Sequence, residues 1–307
     1  MGVGIAVVFA RAGIACALVD PDEATRRSAD ERVRNACRSL EVGPEELLAL
    51  ITVHDDMAAA CRGASLIIEA GPESIAVKQE IFAVLDAVAE PDAILATNTS
   101  AIPISTIAEA VADPSRVVGT HFWNPPYLVS LVEVVQGANT SPAVVEETIG
   151  LLDGIGMRAV HVKSDVPGFV GNRMQHALKR EAIALVANGV CTAETVDTVV
   201  RYGFGRRLGL VGPLEQADLA GLNLTLAIHE VLMPDLDVTP VPHPYLTALV
   251  ERGDLGAKTG RGFYTWSPGE AERRRVEIAA GLVDQAEHSP HDDAETPVDG
   301  GGERSDS

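Results

Sequence analysis

Between Thr97 and Glu133 the chain gathers the side chains needed to take a proton from an alcohol. Thr97-Asn98-Thr99-Ser100 is followed by His121-Phe122-Trp123-Asn124-Pro125-Pro126 and then by Leu131-Val132-Glu133-Val134-Val135. His121 stands twelve residues before Glu133, and each lies among apolar neighbours, where a bare ionisable group is costly. Pairing the two offsets that cost. A carboxylate accepting from one imidazole nitrogen fixes the tautomer and leaves the other nitrogen free as a base. Ser100 adds an alcohol or oxyanion partner for the substrate oxygen. A core histidine satisfied elsewhere and an edge glutamate facing water are the alternatives that spacing leaves open.

The elements that must position these residues follow from hydrophobic periodicity. Residues 3–12 pattern as a helix, with Ile5, Val8, Phe9 and Ala12 on one stripe and Gly13 as its stop. A short apolar strand, 15–19, ends at Asp20 and turns through Pro21-Asp22. Residues 22–39 read as one polar helix whose inner face is Val33, Ala36, Cys37 and Leu40. Strands are expected at 65–70, 93–96, 117–121 and 131–135, with helices at 76–89 and 104–111. That alternation predicts a parallel sheet covered on both faces. After Lys163 the pattern becomes wholly helical, over 169–188, 192–202, 213–232 and 244–253. Asp165-Val166-Pro167-Gly168 marks the change, giving domains 1–164 and 165–268.

The third segment, 269–307, reads as a disordered acidic tail. From Gln285 onward seven acids face Arg304 alone, so this stretch carries a net six of the chain's twenty negative charges. It lacks the apolar residues that would offset ordering entropy. A net charge of −20 argues against nucleic acid or an anionic membrane as the main partner. Cys16, Cys37, Cys61 and Cys191 are scattered without metal-ligand spacing, which predicts free thiols, no metal and a reducing cytoplasm. No apolar run is long enough to span a membrane, and no basic leader precedes the first helix.

A helix followed by a strand ending in Asp is the second half of a dinucleotide-binding unit. Asp20 is placed to accept both ribose hydroxyls of adenosine, which favours NAD over its 2′-phosphorylated relative. The three-glycine fingerprint of such units precedes the helix, and Gly2 supplies only its last member, the glycine that lets helix pack on sheet. The expectation is a leading strand missing through a start site placed too late. A non-catalytic relative is the other reading.

With these motifs assembled, the chain resembles the L-3-hydroxyacyl-CoA dehydrogenase family from Met1 to about Trp266. Asn98-Thr99-Ser100, His121-Phe122-Trp123-Asn124-Pro125 and Leu131-Val132-Glu133-Val134-Val135 carry the likeness, with Pro167-Gly168-Phe169-Val170-Gly171-Asn172-Arg173 and Gly256-Ala257-Lys258-Thr259-Gly260-Arg261-Gly262-Phe263-Tyr264. The resemblance implies an α/β fold, a Rossmann-type doubly wound, mostly parallel sheet, followed by an all-helical C-terminal domain that dimerises. It implies NAD as cofactor and a role in fatty acid metabolism. On matching positions, His121 would be the base and Glu133 its orienting partner. Ser100 and Asn172 would hold the substrate oxygen. Gly2, Asp20, Glu73, Lys78, Asn98, Ser100, Asn124 and Lys258 would meet the cofactor.

The resemblance implies oxidation of a 3-hydroxyacyl-CoA to the 3-ketoacyl-CoA, but two departures bear on the substrate. Between Asp22 and Asp56, where relatives place lysines for the CoA 3′-phosphate, this chain has Arg26, Arg27, Arg32, Arg34 and Arg38. These are either phosphate binders or a solvated mixed-charge face. The Asn124-Pro125-Pro126-Tyr127 variant resembles branches acting on free hydroxy acids such as gulonate or carnitine. Arg206 and Arg207 would then clamp a carboxylate.

Overall fold

A computed structural model describes residues 1–288. Helix α1 (Gly2–Arg11) leads into β1 (Cys16–Val19), then α2 (Glu23–Arg27), α3 (Ala29–Ser39), α4 (Glu45–Leu50), β2 (Ile51–His54), α5 (Met57–Ala60) and β3 (Leu66–Glu69). There follow α6 (Ile75–Val88), β4 (Ile94–Thr97), α7 (Ile104–Ala108), β5 (Val117–Phe122), β6 (Leu131–Val135), α8 (Pro142–Gly154) and β7 (Arg158–Val162). Strands β1 and β2 pair in parallel as a two-stranded sheet, and β3-β4-β5-β6-β7 form a five-stranded one. The architecture is the Rossmann-like layered sheet with a helical domain after it.

Alternation along the strands builds two cores. Ile94, Ala96, Val118, Phe122, Val132 and Val134 pack on one face against α1 and α8 through Ile5, Val8, Phe9, Val145 and Leu152. Leu95, Val117 and Val135 face the other way, against Phe82, Leu85, Ile104 and Ile107 of α6 and α7. One pair departs from parallel: β5 and β6 are antiparallel. The link between them runs only from 123 to 130, too short for the crossover that a parallel neighbour needs.

Several sequence expectations are corrected. The single helix expected over 22–39 is two, meeting at Ser28, whose hydroxyl donates to the Thr25 carbonyl and competes with the helical ladder. Strands β2 and β7 and helix α8 were not anticipated. β7 is largely exposed along its length, so it carries no clean apolar alternation.

The second domain comprises α9 (Gly171–Ala187), α10 (Ala193–Tyr202), α11 (Gly205–Leu208), α12 (Pro213–Ala220), α13 (Leu222–Leu232), α14 (Pro244–Glu251) and α15 (Glu270–His288). The helix expected over 213–232 breaks at Gly221, whose φ of 98° ends α12 and opens α13. The disorder expected from 269 onward is also wrong as far as His288, because α15 occupies that stretch. Helix-forming Ala, Glu and Arg residues dominate it, and Arg275–Glu272 and Arg274–Glu277 pair at i,i+3. The remainder of the expected tail lies outside the described residues. Among the described residues no helix is long and apolar enough to cross a membrane.

Gly2, assigned to close packing, does not need to be glycine for that purpose: a Cβ there would meet Ala70 and Leu18 at an ordinary 4.0 Å. The demanding position is Gly4, where a Cβ would lie 2.7 Å from Cγ of Pro126. Helix α1 thus backs the loop that follows His121. Gly4→Ala is expected to cost about 1–3 kcal/mol in urea unfolding. Gly150→Ala, in the middle of α8 with open space around it, should stabilise by about 0.5–1 kcal/mol.

Candidate active site

The antiparallel register of β5 and β6 sets His121 opposite Glu133, so both side chains project from one face. His121 Nδ1 and Glu133 Oε2 are 2.8 Å apart, with only 6% and 2% of the two side chains exposed. With Nδ1–H donating to the carboxylate, Nε2 is the basic nitrogen, and it has no partner among the described residues. The second Glu133 oxygen, Oε1, accepts from the backbone N–H groups of Val170 and Gly171, each at 3.0 Å. These are the first amides of α9, whose dipole also favours a negative charge there. Burial raises the Glu133 carboxyl, but the hydrogen bonds from His121, Gly171 and Val170 outweigh it and hold the group below the usual carboxylate range.

Helix α9 is delivered to Glu133 by an unusual turn. Phe169 adopts φ 51°, a left-handed conformation rare for a bulky side chain, directly after Gly168 at φ 76°. Its ring is buried and tilts against the His121 imidazole at 5.7 Å between centroids. Trp123 flanks the same imidazole at 5.5 Å and lies over Gly171, where a Cβ would come 2.3 Å from Cζ2. The imidazole is therefore in contact with two rings. Phe169, Trp123 and Gly171 stand in the motifs quoted from the sequence, but no role for them follows from it. The one available signal was a glycine at the start of a helix in a motif otherwise suited to larger residues.

Ser100 and Asn172 come together: Asn172 Nδ2 donates to the Ser100 carbonyl at 2.9 Å, joining the tip after β4 to the first turn of α9. The Ser100 hydroxyl has no partner among the described residues. Asn98 is buried and its Oδ1 accepts from Phe122 N–H at 2.9 Å, so it ties the end of β4 to the end of β5. Asn124 is exposed beside His121, ahead of a cis bond to Pro125.

Glu73 and Lys78 occupy different settings. Glu73 is 42% exposed, and its Oε1 accepts from Thr99 Oγ1 (2.6 Å), Ser100 N (3.0 Å) and Ala101 N (3.0 Å). Burial raises its carboxyl, and these bonds together with Lys78 overcome that and lower it. Lys78 is no surface lysine: 1% exposed, it donates to both oxygens of Glu69 at 2.9 Å. Glu69 was not singled out in the sequence.

The carboxyl end of β1 holds Asp20, whose Oδ1 accepts from Asp22 N–H at 2.9 Å while Oδ2 stays free. No side chain caps α1, which leaves its first N–H groups available to a phosphate. A free carboxylate oxygen and uncapped amides along one sheet edge fit NAD. Lys258 is exposed in the turn bridged by Gly256 and Arg261, and no hydrogen bond or ion pair links it to the His121 cluster. Arg206 and Arg207 are exposed on α11, which packs on α10, and neither is linked to Ser100 or Asn172.

The 3-hydroxyacyl-CoA dehydrogenase NAD-binding domain model matches residues 1–166, and the C-terminal domain model of the same family matches 168–266. The chain is 34% identical over 291 residues to a 5-formyl-3-hydroxy-2-methylpyridine 4-carboxylate 5-dehydrogenase of Mesorhizobium japonicum, covering 92% of this chain and 93% of that protein. A crystal structure of an enzyme of that name, described as an NAD+ dependent dismutase, superposes with a TM-score of 0.87 at 33% identity, over 92% of this chain and 93% of its own. A probable 3-hydroxybutyryl-CoA dehydrogenase of Bacillus subtilis is 37% identical over 274 residues, 87% of this chain and 94% of its own. With both domain models matched end to end, the chain belongs to the 3-hydroxyacyl-CoA dehydrogenase family of NAD-dependent oxidoreductases acting on CH–OH groups.

Proposed function

We propose that this protein oxidises a secondary alcohol to a ketone, with His121 Nε2 as the base. The observation that carries the reading is Glu133, which holds the His121 tautomer with one oxygen and two α9 amides with the other. As the substrate hydroxyl gives up its proton, His121 becomes cationic, and the buried carboxylate stabilises it at no cost in reorganisation. The Ser100 hydroxyl and the Asn172 amide steady the substrate oxygen. Bound NAD supplies the hydride acceptor. Asp20 would hold its adenosine ribose, the first amides of α1 its pyrophosphate, and Glu73, with Asn98 and Asn124 nearby, its nicotinamide half.

For the substrate we favour a free hydroxy acid over a CoA thioester, reversing the order that the sequence suggests. Of the five arginines that were candidates for the CoA phosphate, Arg27, Arg34 and Arg38 pair with Glu23, Glu45 and Glu31. Arg26 donates to the backbone carbonyls of Asp20 and Pro21. On this mixed-charge solvated face a phosphate would have to displace the existing partners of four of the five, Arg32 alone having none among the described residues. The similarity to the pyridine carboxylate dehydrogenase supports the free carboxylate, although the group at the position named for that enzyme is a formyl and not an alcohol. The thioester remains the second reading, favoured by the likeness to the Bacillus subtilis enzyme.

Two copies are expected to associate through α12 and α13. Leu214 and Leu219 are 82% and 78% exposed, and Leu222, Leu226 and Val231 continue the apolar surface. Its four free thiols suit a cytoplasmic setting.

Turnover of 3-hydroxybutyrate, carnitine and gulonate, with 3-hydroxybutyryl-CoA alongside, followed by NADH absorbance, separates the substrate readings. Oxidation of the thioester alone would overturn the free-acid assignment. His121→Ala should lower kcat by roughly 10²–10⁴-fold while NAD affinity stays within a fewfold. Because the folded Glu133 carboxyl lies below its unfolded value of about 4.3, its stabilisation is complete above that pH and is lost as pH falls through the folded value. Glu133→Gln should therefore cost about 1–3 kcal/mol in urea unfolding at neutral pH and flatten the acid limb of the stability profile. Leu214→Glu should convert a dimer to monomer in sedimentation velocity.

A further inference from the structure

The cluster behind Ser100 contains a buried ion pair that the proposed chemistry does not use. Glu69 ends β3 with its side chain 2% exposed, and Lys78 lies on the first turns of α6. Every contact of the Glu69 carboxylate is internal. It accepts from Lys78 Nζ with both oxygens, from Thr97 Oγ1 at 2.7 Å and from the backbone N–H of Gly71. Burying two such charges is expensive unless they have further work. A surface lysine with a long, free stem would serve a cofactor contact more cheaply.

The further work lies on the other side of Lys78. Its Nζ is 3.7 Å from Glu73 Oε2, and Glu73 Oε1 gathers the Thr99 hydroxyl and the amides of Ser100 and Ala101. The Thr99 hydroxyl in turn accepts from Ile102 N–H at 3.0 Å. Four consecutive residues of the Ser100 loop are thus organised by one carboxylate, directly or through Thr99. That carboxylate is on the exposed side of the arrangement, 42% exposed, and its cationic neighbour is held by Glu69.

We infer that Glu69 and Lys78 form an internal tether that sets the position of Glu73, and through it the Ser100 loop against Asn172. Lys78 sits between two carboxylates and is shared unequally: 2.9 Å to Glu69 against 3.7 Å to Glu73. The longer contact leaves Glu73 close enough to be held and far enough to keep its three donors. When Glu69 is made neutral, Glu73 becomes the only carboxylate facing the ammonium. Closing the gap then draws Glu73 off the loop. Glu69, Lys78 and Glu73 are positioning residues in this scheme, and Glu73 can still meet the cofactor with its exposed edge. The inference rests on the reading of Ser100 as a substrate contact.

The test is Glu69→Gln, which keeps the shape of the side chain. Hydrogen exchange at the Ser100 and Ala101 amides should quicken tenfold or more, while exchange in β6 and the melting temperature change little. Oxidation of the wild type's best acid should show kcat down roughly 10- to 100-fold, with NAD affinity by fluorescence titration within twofold. Thr99→Val should give the same pattern, and the double variant should be far from additive, because both changes break one chain of contacts. Unchanged exchange at Ser100 and Ala101, or additive effects, would overturn the tether. A loss of NAD affinity as large as the loss in kcat would assign the effect to the cofactor contact of Glu73 and overturn the tether as a device for the Ser100 loop. Quickened exchange with intact turnover would leave the tether standing and sink the substrate role of Ser100. Should Glu69→Gln fail to fold, Glu69→Asp, which shortens the carboxylate and loosens its hold on the Lys78 ammonium, must still quicken exchange at the Ser100 and Ala101 amides.

Discussion

One carboxylate ties the two domains to the chemistry. Glu133 sits on β6 in the sheet domain, orients His121 on β5, and receives the first amides of α9 from the helical domain. Its charge is tolerable at 2% exposure only because all of these donors are present together. The geometry of the base and the seating of the helical domain are therefore one problem with one solution. Disturbing either end would leave a buried carboxylate short of partners.

The strained turn at Phe169 follows from the same constraint. Two successive N–H groups must converge on one oxygen, and the chain reaches that arrangement by placing Gly168 and then Phe169 at positive φ. Holding a phenylalanine there costs on the order of 1–3 kcal/mol. Burial of its ring against His121 returns part of that cost and closes one side of the imidazole. Trp123 also packs against the imidazole, and the missing side chain of Gly171 makes room for it. Base, aromatic walls and helix start are packed as a unit.

A second carboxylate plays a matching part for the loop after β4. Glu73 gathers the loop that carries Ser100, and Asn172 links that loop to α9. Both halves of the site therefore converge on the first turn of one helix. Position there is set by charge-assisted hydrogen bonds to main-chain amides, which are stronger than neutral ones and leave little freedom in the backbone. The Glu133 bonds lie buried beside the apolar layers of the sheet, whereas the Glu73 carboxylate, 42% exposed, makes its bonds at the surface.

Local patterning was enough to find most strands and helices, because apolar periods of two and near four report directly on which face is buried. It also singled out His121, Glu133 and Ser100 as candidates, since ionisable groups inside apolar runs and an alcohol beside them are conspicuous, while Asn172 came only with the family resemblance. It failed where a neighbour decides. Gly221 breaks a helix that periodicity joins, β7 is an edge strand with little alternation, and α15 is held by helix propensity and charge pairs in a stretch that composition reads as disordered. The burial of Lys78, expected at the cofactor, could not be read from its own segment, because Glu69 reaches it from the end of another strand. The sequence by itself determined which side chains could do chemistry and that they stand on a layered α/β frame. Only the tertiary structure decided which of them meet, because strand register, the turn into α9 and the burial of each charge depend on contacts between segments far apart in the chain.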